Sequence, residues 1–181
     1  MATAKLSHEF DLDAICKAFP TAAQYRPEQF PGLCFRLRRP KTSTLIFGSG
    51  AMVCTGAKST AQAERGIRRV VGELRGKGVV IPKIPKIHVQ NIVAAASLGG
   101  AIDLVKAVYA LGKTIYEPEQ FPGIIHRMEE PRVVLLIFAN GKLVVAGAKK
   151  TGDTYTAVDK LQRRLEEAGL ISYGRLTPST N

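Results

Sequence analysis

Two periodicities divide this chain. Within 60–77, Ile67, Val70, Val71 and Leu74 recur at helical spacing, and Tyr155, Val158, Leu161 and Leu165 do so within 152–168. Each segment predicts an amphipathic helix. Two shorter helices are predicted, one over Asp11 to Phe19 and one in LVKAVYALG, which follows an Asp103 cap and stops at Gly112. The remaining apolar runs are short and strand-like: Leu33–Leu37, Thr42–Phe47 and Met52–Thr55, then Ile124–Met128, Val133–Phe138 and Leu143–Ala146. Gly-Ser-Gly-Ala and Ala-Asn-Gly-Lys read as hairpin turns. The proline-bracketed PEQFPG segments are predicted to be neither helix nor central strand.

Side-chain alternation in these strands yields two apolar faces. Leu45, Phe47, Val53 and Thr55 point one way, while Ile46, Met52 and Cys54 point the other. In the later strands Leu136, Phe138, Val144 and Ala146 oppose Leu135, Ile137, Leu143 and Val145. Four helices suffice for one face of an antiparallel sheet of about nine or ten strands. The second apolar face therefore predicts a binding surface or a dimer contact.

The pattern repeats. Residues 25–60 and 116–151 align without gaps at an offset of 91, with 18 of 36 positions identical. One long duplication predicts two copies of a unit related by a pseudo-twofold axis, not a solenoid. The copies are read as 1–82 and 83–181. The second copy opens with PKIHVQNIV, a good strand, before Ala94, and only Met1 stands before the matching Ala2. The first copy is thus expected to lack its opening strand.

Composition narrows the chemistry. A net charge of +11 favours a polyanionic partner. No apolar run of transmembrane length is present, and no signal peptide is read at the start. Cys16, Cys34 and Cys54 are widely spaced and read as reduced core thiols of an intracellular protein. His8, His88 and His126 have no metal-ligand spacing, and no nucleophile–base pair stands out, so neither enzyme nor cofactor is expected. Gly50 to Ser59 is Gly-rich and ends in Lys-Ser, but five residues, not four, separate Gly50 from Gly56, and Lys58 falls one place late for a phosphate loop. Arg36, Lys41 and Lys58 flank the first copy's strands, and Arg127, Arg132, Lys142 and Lys149 the second's. An apolar floor with basic edges suits duplex DNA.

The doubled PEQFPG…R…P…LIF..G…GAK, with VQNIV before the second copy, resembles the core of the TATA-box-binding proteins, most closely their archaeal members. The resemblance implies an α+β saddle with four helices on the convex side of a curved antiparallel sheet and DNA in the minor groove beneath. It implies intercalation by Phe30, Phe47, Phe121 and Phe138. It makes Leu45, Val53, Val93, Leu136 and Val144 the apolar floor, and Asn91 and Thr55 polar contacts to the A·T acceptors of that groove. The seven basic residues named above match backbone-contacting positions, for a salt slope of about −6 at roughly 0.9 per phosphate. Four buried phenylalanines would return roughly 6–12 kcal/mol. Transcription factor B is implied as a partner at Glu117 and Glu119, with RNA polymerase recruited in turn. The implied location is the nucleoid of an archaeal cytoplasm, or a eukaryotic nucleus.

Three departures stand out. Asn91 has no first-copy counterpart, Ala146 stands opposite Thr55 in the repeat, and Ala51 opposite Lys142. The alternative readings of the same apolar sheet are a protein- or lipid-binding module and a single-strand binder that stacks bases on aromatics.

Overall fold

The computed structural model describes residues 1–174. The chain forms two compact units, Met1–Gln90 and a second beginning at Asn91. In the first, β1 (Ala2–Lys5), α1 (Leu12–Ala18), β2 (Ala23–Arg26), β3 (Phe30–Leu37), β4 (Thr42–Phe47), β5 (Ala51–Thr55) and α2 (Thr60–Gly76) are followed by β6 (Ile87–Val89). The sheet runs β2-β3-β4-β5-β1-β6.

The second unit holds β7 (Ile92–Ser97), β8 (Ala101–Ile102), α3 (Leu104–Leu111), β9 (Thr114–Ile115), β10 (Gly123–Met128), β11 (Val133–Phe138), β12 (Lys142–Ala148), α4 (Thr151–Glu167) and β13 (Ile171–Ser172). Its main sheet runs β7-β12-β11-β10-β9, and β13 pairs with β8 in a separate ribbon.

Local chemistry sets the boundaries. Asp11 caps α1 by accepting from Ala14 N at 2.9 Å, and Asp103 caps α3 by accepting from Lys106 N at 3.1 Å. The Gly-rich stretch ending in Lys-Ser is strand, turn, strand and helix cap: Ser59 Oγ accepts from Gln62 N at 3.1 Å to start α2. At the hairpin tips Gly50 and Gly141 adopt φ of 80° and 74°, which favours glycine. Each donates its N–H to the carbonyl of the phenylalanine three residues back, at 2.9 Å.

One face of each sheet is sealed by helices. Leu33, Phe35, Ile46, Met52 and Cys54 join Ile67, Val70, Val71 and Leu74 of α2 in the first core. Ile124, Leu135, Ile137, Leu143 and Val145 join Ala157, Leu161 and Leu165 of α4 in the second. The two cores differ at matching places. Phe35 meets Phe19 edge-on at 5.0 Å between ring centres. Its counterpart His126 is buried with Nδ1 3.0 Å from the Gly112 carbonyl, beside a hollow of about 530 Å³ edged by Lys113, Glu129, Lys160 and Arg164.

Several expectations are corrected. In the first unit β1 is the counterpart of Ala94–Ser97 in β7, with Ala2↔Cys54 matching Ala94↔Val145. PKIHVQNIV is two strands, not one, and its first part, β6, pairs with β1 through Ala2↔Val89 and Thr3↔His88. The first unit therefore runs on past residue 82 to Gln90. Phe30 and Pro31 belong to β3, but lie beyond its ladder with β4, which starts at Gly32↔Phe47, so Pro31 removes no hydrogen bond there. The two main sheets hold eleven strands, because β6 adds one. Tyr155 is 74% exposed; Thr154, Ala157, Leu161 and Leu165 form the buried stripe of α4, placing Tyr155 about 100° round from it.

Candidate nucleic-acid interface

The helix-free face of each sheet is built from the residues that alternate with the core. In the first unit Gly32 pairs with Phe47; Cys34, Leu45, Val53 and Thr3 align across four strands; and Arg36, Ser43 and Thr55 form the next row. In the second, Gly123 pairs with Phe138; Ile125, Leu136, Val144 and Ala95 align; and Arg127, Val134, Ala146 and Val93 follow. Leu45, Val53, Leu136 and Val144 are partly exposed, and Val93 is 62% exposed. Their strand neighbours Ile46, Cys54, Leu135 and Val145 are fully buried. The structure thus brings the predicted floor residues of each copy onto one helix-free face.

The phenylalanines form two pairs. Phe30 and Phe47 meet edge-on at 5.8 Å, Phe121 and Phe138 at 5.6 Å. Phe30, Phe47 and Phe138 lie on the helix-free side by strand alternation, and Phe121, in the loop before β10, meets Phe138 there. Phe30 is 41% exposed and the other three are half-buried. Each pair folds over a glycine. A Cβ on Gly32 would stand 2.6 Å from the Phe30 ring and 3.0 Å from that of Phe47. A Cβ on Gly123 would stand 3.1 Å from both rings and 2.9 Å from the Ile137 carbonyl oxygen. Gly32 and Gly123 were not among the sequence-derived site residues; their recurrence after Phe-Pro in both copies is the signal that marks them.

The polar contacts are partly committed inside the protein. Thr55 Oγ1 donates to the Ser43 carbonyl at 3.4 Å, and Cys34 Sγ lies 3.1 Å from Ser43 Oγ. Asn91 Oδ1 accepts from Gly147 N at 2.9 Å, at the bulge where β12 shifts register against β7. Gln90 Nε2 donates to Thr3 Oγ1 at 3.0 Å.

All seven predicted basic residues are exposed. Arg36 and Arg127 stand on the helix-free faces by alternation. Lys41 and Arg132 precede β4 and β11, at the sheet ends opposite the phenylalanines, and Lys58 and Lys149 lie in the segments leading to α2 and α4. Lys142 sits at the phenylalanine end, edging a shallow depression of about 630 Å³ with Ala95, Ser97, Phe138 and Val144. Glu117 and Glu119 are exposed in the loop before Phe121, where the Glu117 carbonyl accepts from Gln120 N and Phe121 N, each at 2.9 Å.

Among the described residues no group of three or more His, Cys, Asp or Glu could hold a metal, and no helix is long and apolar enough to cross a membrane. The three cysteines are free thiols.

Comparison with known proteins follows this geometry. The family model described as "Transcription factor TFIID (or TATA-binding protein, TBP)" matches residues 1–76 and 86–168. The TATA-box-binding protein of Pyrodictium occultum is 48% identical over 171 residues, 94% of this chain and 85% of that protein. That of Sulfolobus acidocaldarius is also 48% identical, over 94% of this chain and 86% of its own length. The solved structure of Methanococcus jannaschii TBP superposes with a TM-score of 0.84 at 41% identity, covering 92% of this chain and 94% of that one. With antiparallel sheets, four described helices and a match in both repeats, this chain is a member of the TATA-binding protein family, whose proteins are transcription factors rather than enzymes.

Proposed function

We propose that the chain binds A·T-rich promoter DNA in the minor groove through the helix-free faces and kinks it with the two phenylalanine pairs. The observation that carries this reading is the Phe–Phe–Gly arrangement, present in both units at the same end of the same strands. Two rings propped over a glycine form a blunt apolar wedge. Unstacking costs a few kcal/mol per base step, the established figure for minor-groove wedge proteins, this family among them. Because the rings already shield one another, their gain on insertion lies towards the lower end of the range for four phenylalanines, about 6 kcal/mol. That offsets much of two kinks.

The floor explains the base preference. A·T pairs offer acceptors and no amino group in the minor groove, whereas guanine's N2 amino group would meet Leu45, Val53, Leu136 and Val144. The basic residues at the sheet ends meet phosphates. Glu117 and Glu119 extend from the second unit into solvent and suit a basic partner; transcription factor B is the partner we assign them, with RNA polymerase recruited through it at the nucleoid.

The test is an energy-transfer bending measurement on a short A·T-rich duplex. The parent is expected to bend it sharply, with Phe121→Ala/Phe138→Ala largely abolishing the bend. Equal affinity for a G·C duplex of the same length would overturn the reading. Glu117→Arg/Glu119→Arg is expected to keep bending and lose capture of transcription factor B.

A further inference from the structure

The two hairpins carry their positive charge on different strands. In the second unit Lys142 of β12 pairs with Ser97 of β7. In the first, the same places are Ala51 of β5 and Lys5 of β1, and these two pair directly. Each pair closes its ladder at the phenylalanine end of the sheet. Lys5 is exposed, and alternates with the buried Ala2 and Ala4, so it shares the helix-free side with Thr3 and Val53.

We propose that Lys5 is a DNA phosphate contact of the first unit, standing in for the lysine that Ala51 lacks. The inference rests on the minor-groove reading above. Cross-strand partners in an antiparallel ladder have Cα atoms about 4.5–5.5 Å apart. A lysine ammonium on a flexible four-carbon stem covers a displacement of one strand. Ala51 leaves room for the stem, as Ser97 does beneath Lys142. The charge is therefore moved by one strand, not lost, and the first unit's hairpin end keeps a cation matching that of the second. With Lys5 included, eight phosphate contacts give a salt slope of about −7 rather than about −6.

The experiment measures affinity for an A·T-rich duplex against salt concentration for the parent, Lys5→Ala, Lys5→Ala/Ala51→Lys and Lys17→Ala. Lys17 is an exposed lysine in α1, on the helix side, and controls for net charge. Lys5→Ala is expected to make the slope shallower by about 0.9 and weaken binding several-fold at moderate salt. The double variant is expected to recover the parent slope, and Lys17→Ala to keep it. A Lys5→Ala slope equal to that of Lys17→Ala, or a double variant that recovers nothing, overturns the assignment. A parent that neither prefers nor bends A·T duplex overturns the functional reading itself. Normal parent bending with an unchanged Lys5→Ala slope removes Lys5 alone.

Discussion

The two units share a plan and spend it differently. The helix-free face of the first carries Cys34, Ser43, Thr55 and Thr3 where the second carries Ile125, Val134, Ala146 and Ala95. The first unit, residues 1–90, also holds fifteen basic and six acidic residues, a net charge of +9. Residues 91–181 hold eleven and nine, a net of +2. One half is polar and strongly cationic, the other apolar and nearly neutral. Long-range attraction to a polyanion therefore falls mainly on the first unit.

The largest expected effect tests where the halves are alike. Phe47→Ala and Phe138→Ala should each weaken A·T duplex binding by about 1.5–3 kcal/mol, roughly ten- to hundredfold, in a titration at fixed salt. A gap of more than about tenfold between them would break the equivalence of the two wedges. The glycines beneath are expected to differ. At Gly123 an added methyl comes closest to the Ile137 carbonyl, part of the sheet backbone, whereas at Gly32 its nearest neighbours are the phenylalanine rings. Gly123→Ala should cost about 1–3 kcal/mol in denaturant unfolding. Gly32→Ala should leave the fold nearly intact and reduce bending by splaying the rings.

A smaller effect comes from the cores. The buried Thr44 hydroxyl finds no oxygen or nitrogen partner and lies beside the Cys54 thiol, while the second unit has Leu135 and Val145 at these places. Thr44→Val should stabilise the first unit by about 1 kcal/mol, read from its unfolding midpoint. The smallest effect depends on pH. Burial holds His126 below its ordinary pKa of 6.5, outweighing the opposing Gly112 carbonyl contact. The unfolded chain therefore takes up the proton first as pH falls. The second unit should lose stability from about pH 6.5 downward until the folded pKa is passed, and keep it in full above that window. His126→Phe, which copies Phe35 of the first unit, should flatten the stability profile on the acid side of about pH 6.5.

The sequence made some of this legible and hid the rest for definite reasons. Thr42–Phe47 and Val133–Phe138 are readable to the residue, because two-residue alternation between a buried and a half-buried face is unbroken there. The Asp11 and Asp103 caps are equally plain. Edge strands β2 and β9 are short and weakly apolar, and their pairing with β3 and β10 creates them more than their composition does. The break between Val89 and Ile92 is invisible to a hydrophobicity pattern, since both sides read as strand. At the site, the phenylalanines and the floor follow from the repeat and the alternation of faces. The Lys5–Ala51 exchange does not, because it needs the register between strands half a hundred residues apart.

The placement of β1 has a consequence for synthesis. Although it precedes the other strands of its sheet in the chain, it lies inside that sheet, between β5 and β6. A growing polypeptide leaving the ribosome cannot complete that sheet until Ile87–Val89 has emerged, well after α2. Folding of the amino-terminal half is thus timed by a segment from the middle of the chain, and translational pausing before it would prolong the life of an unpaired, aggregation-prone edge.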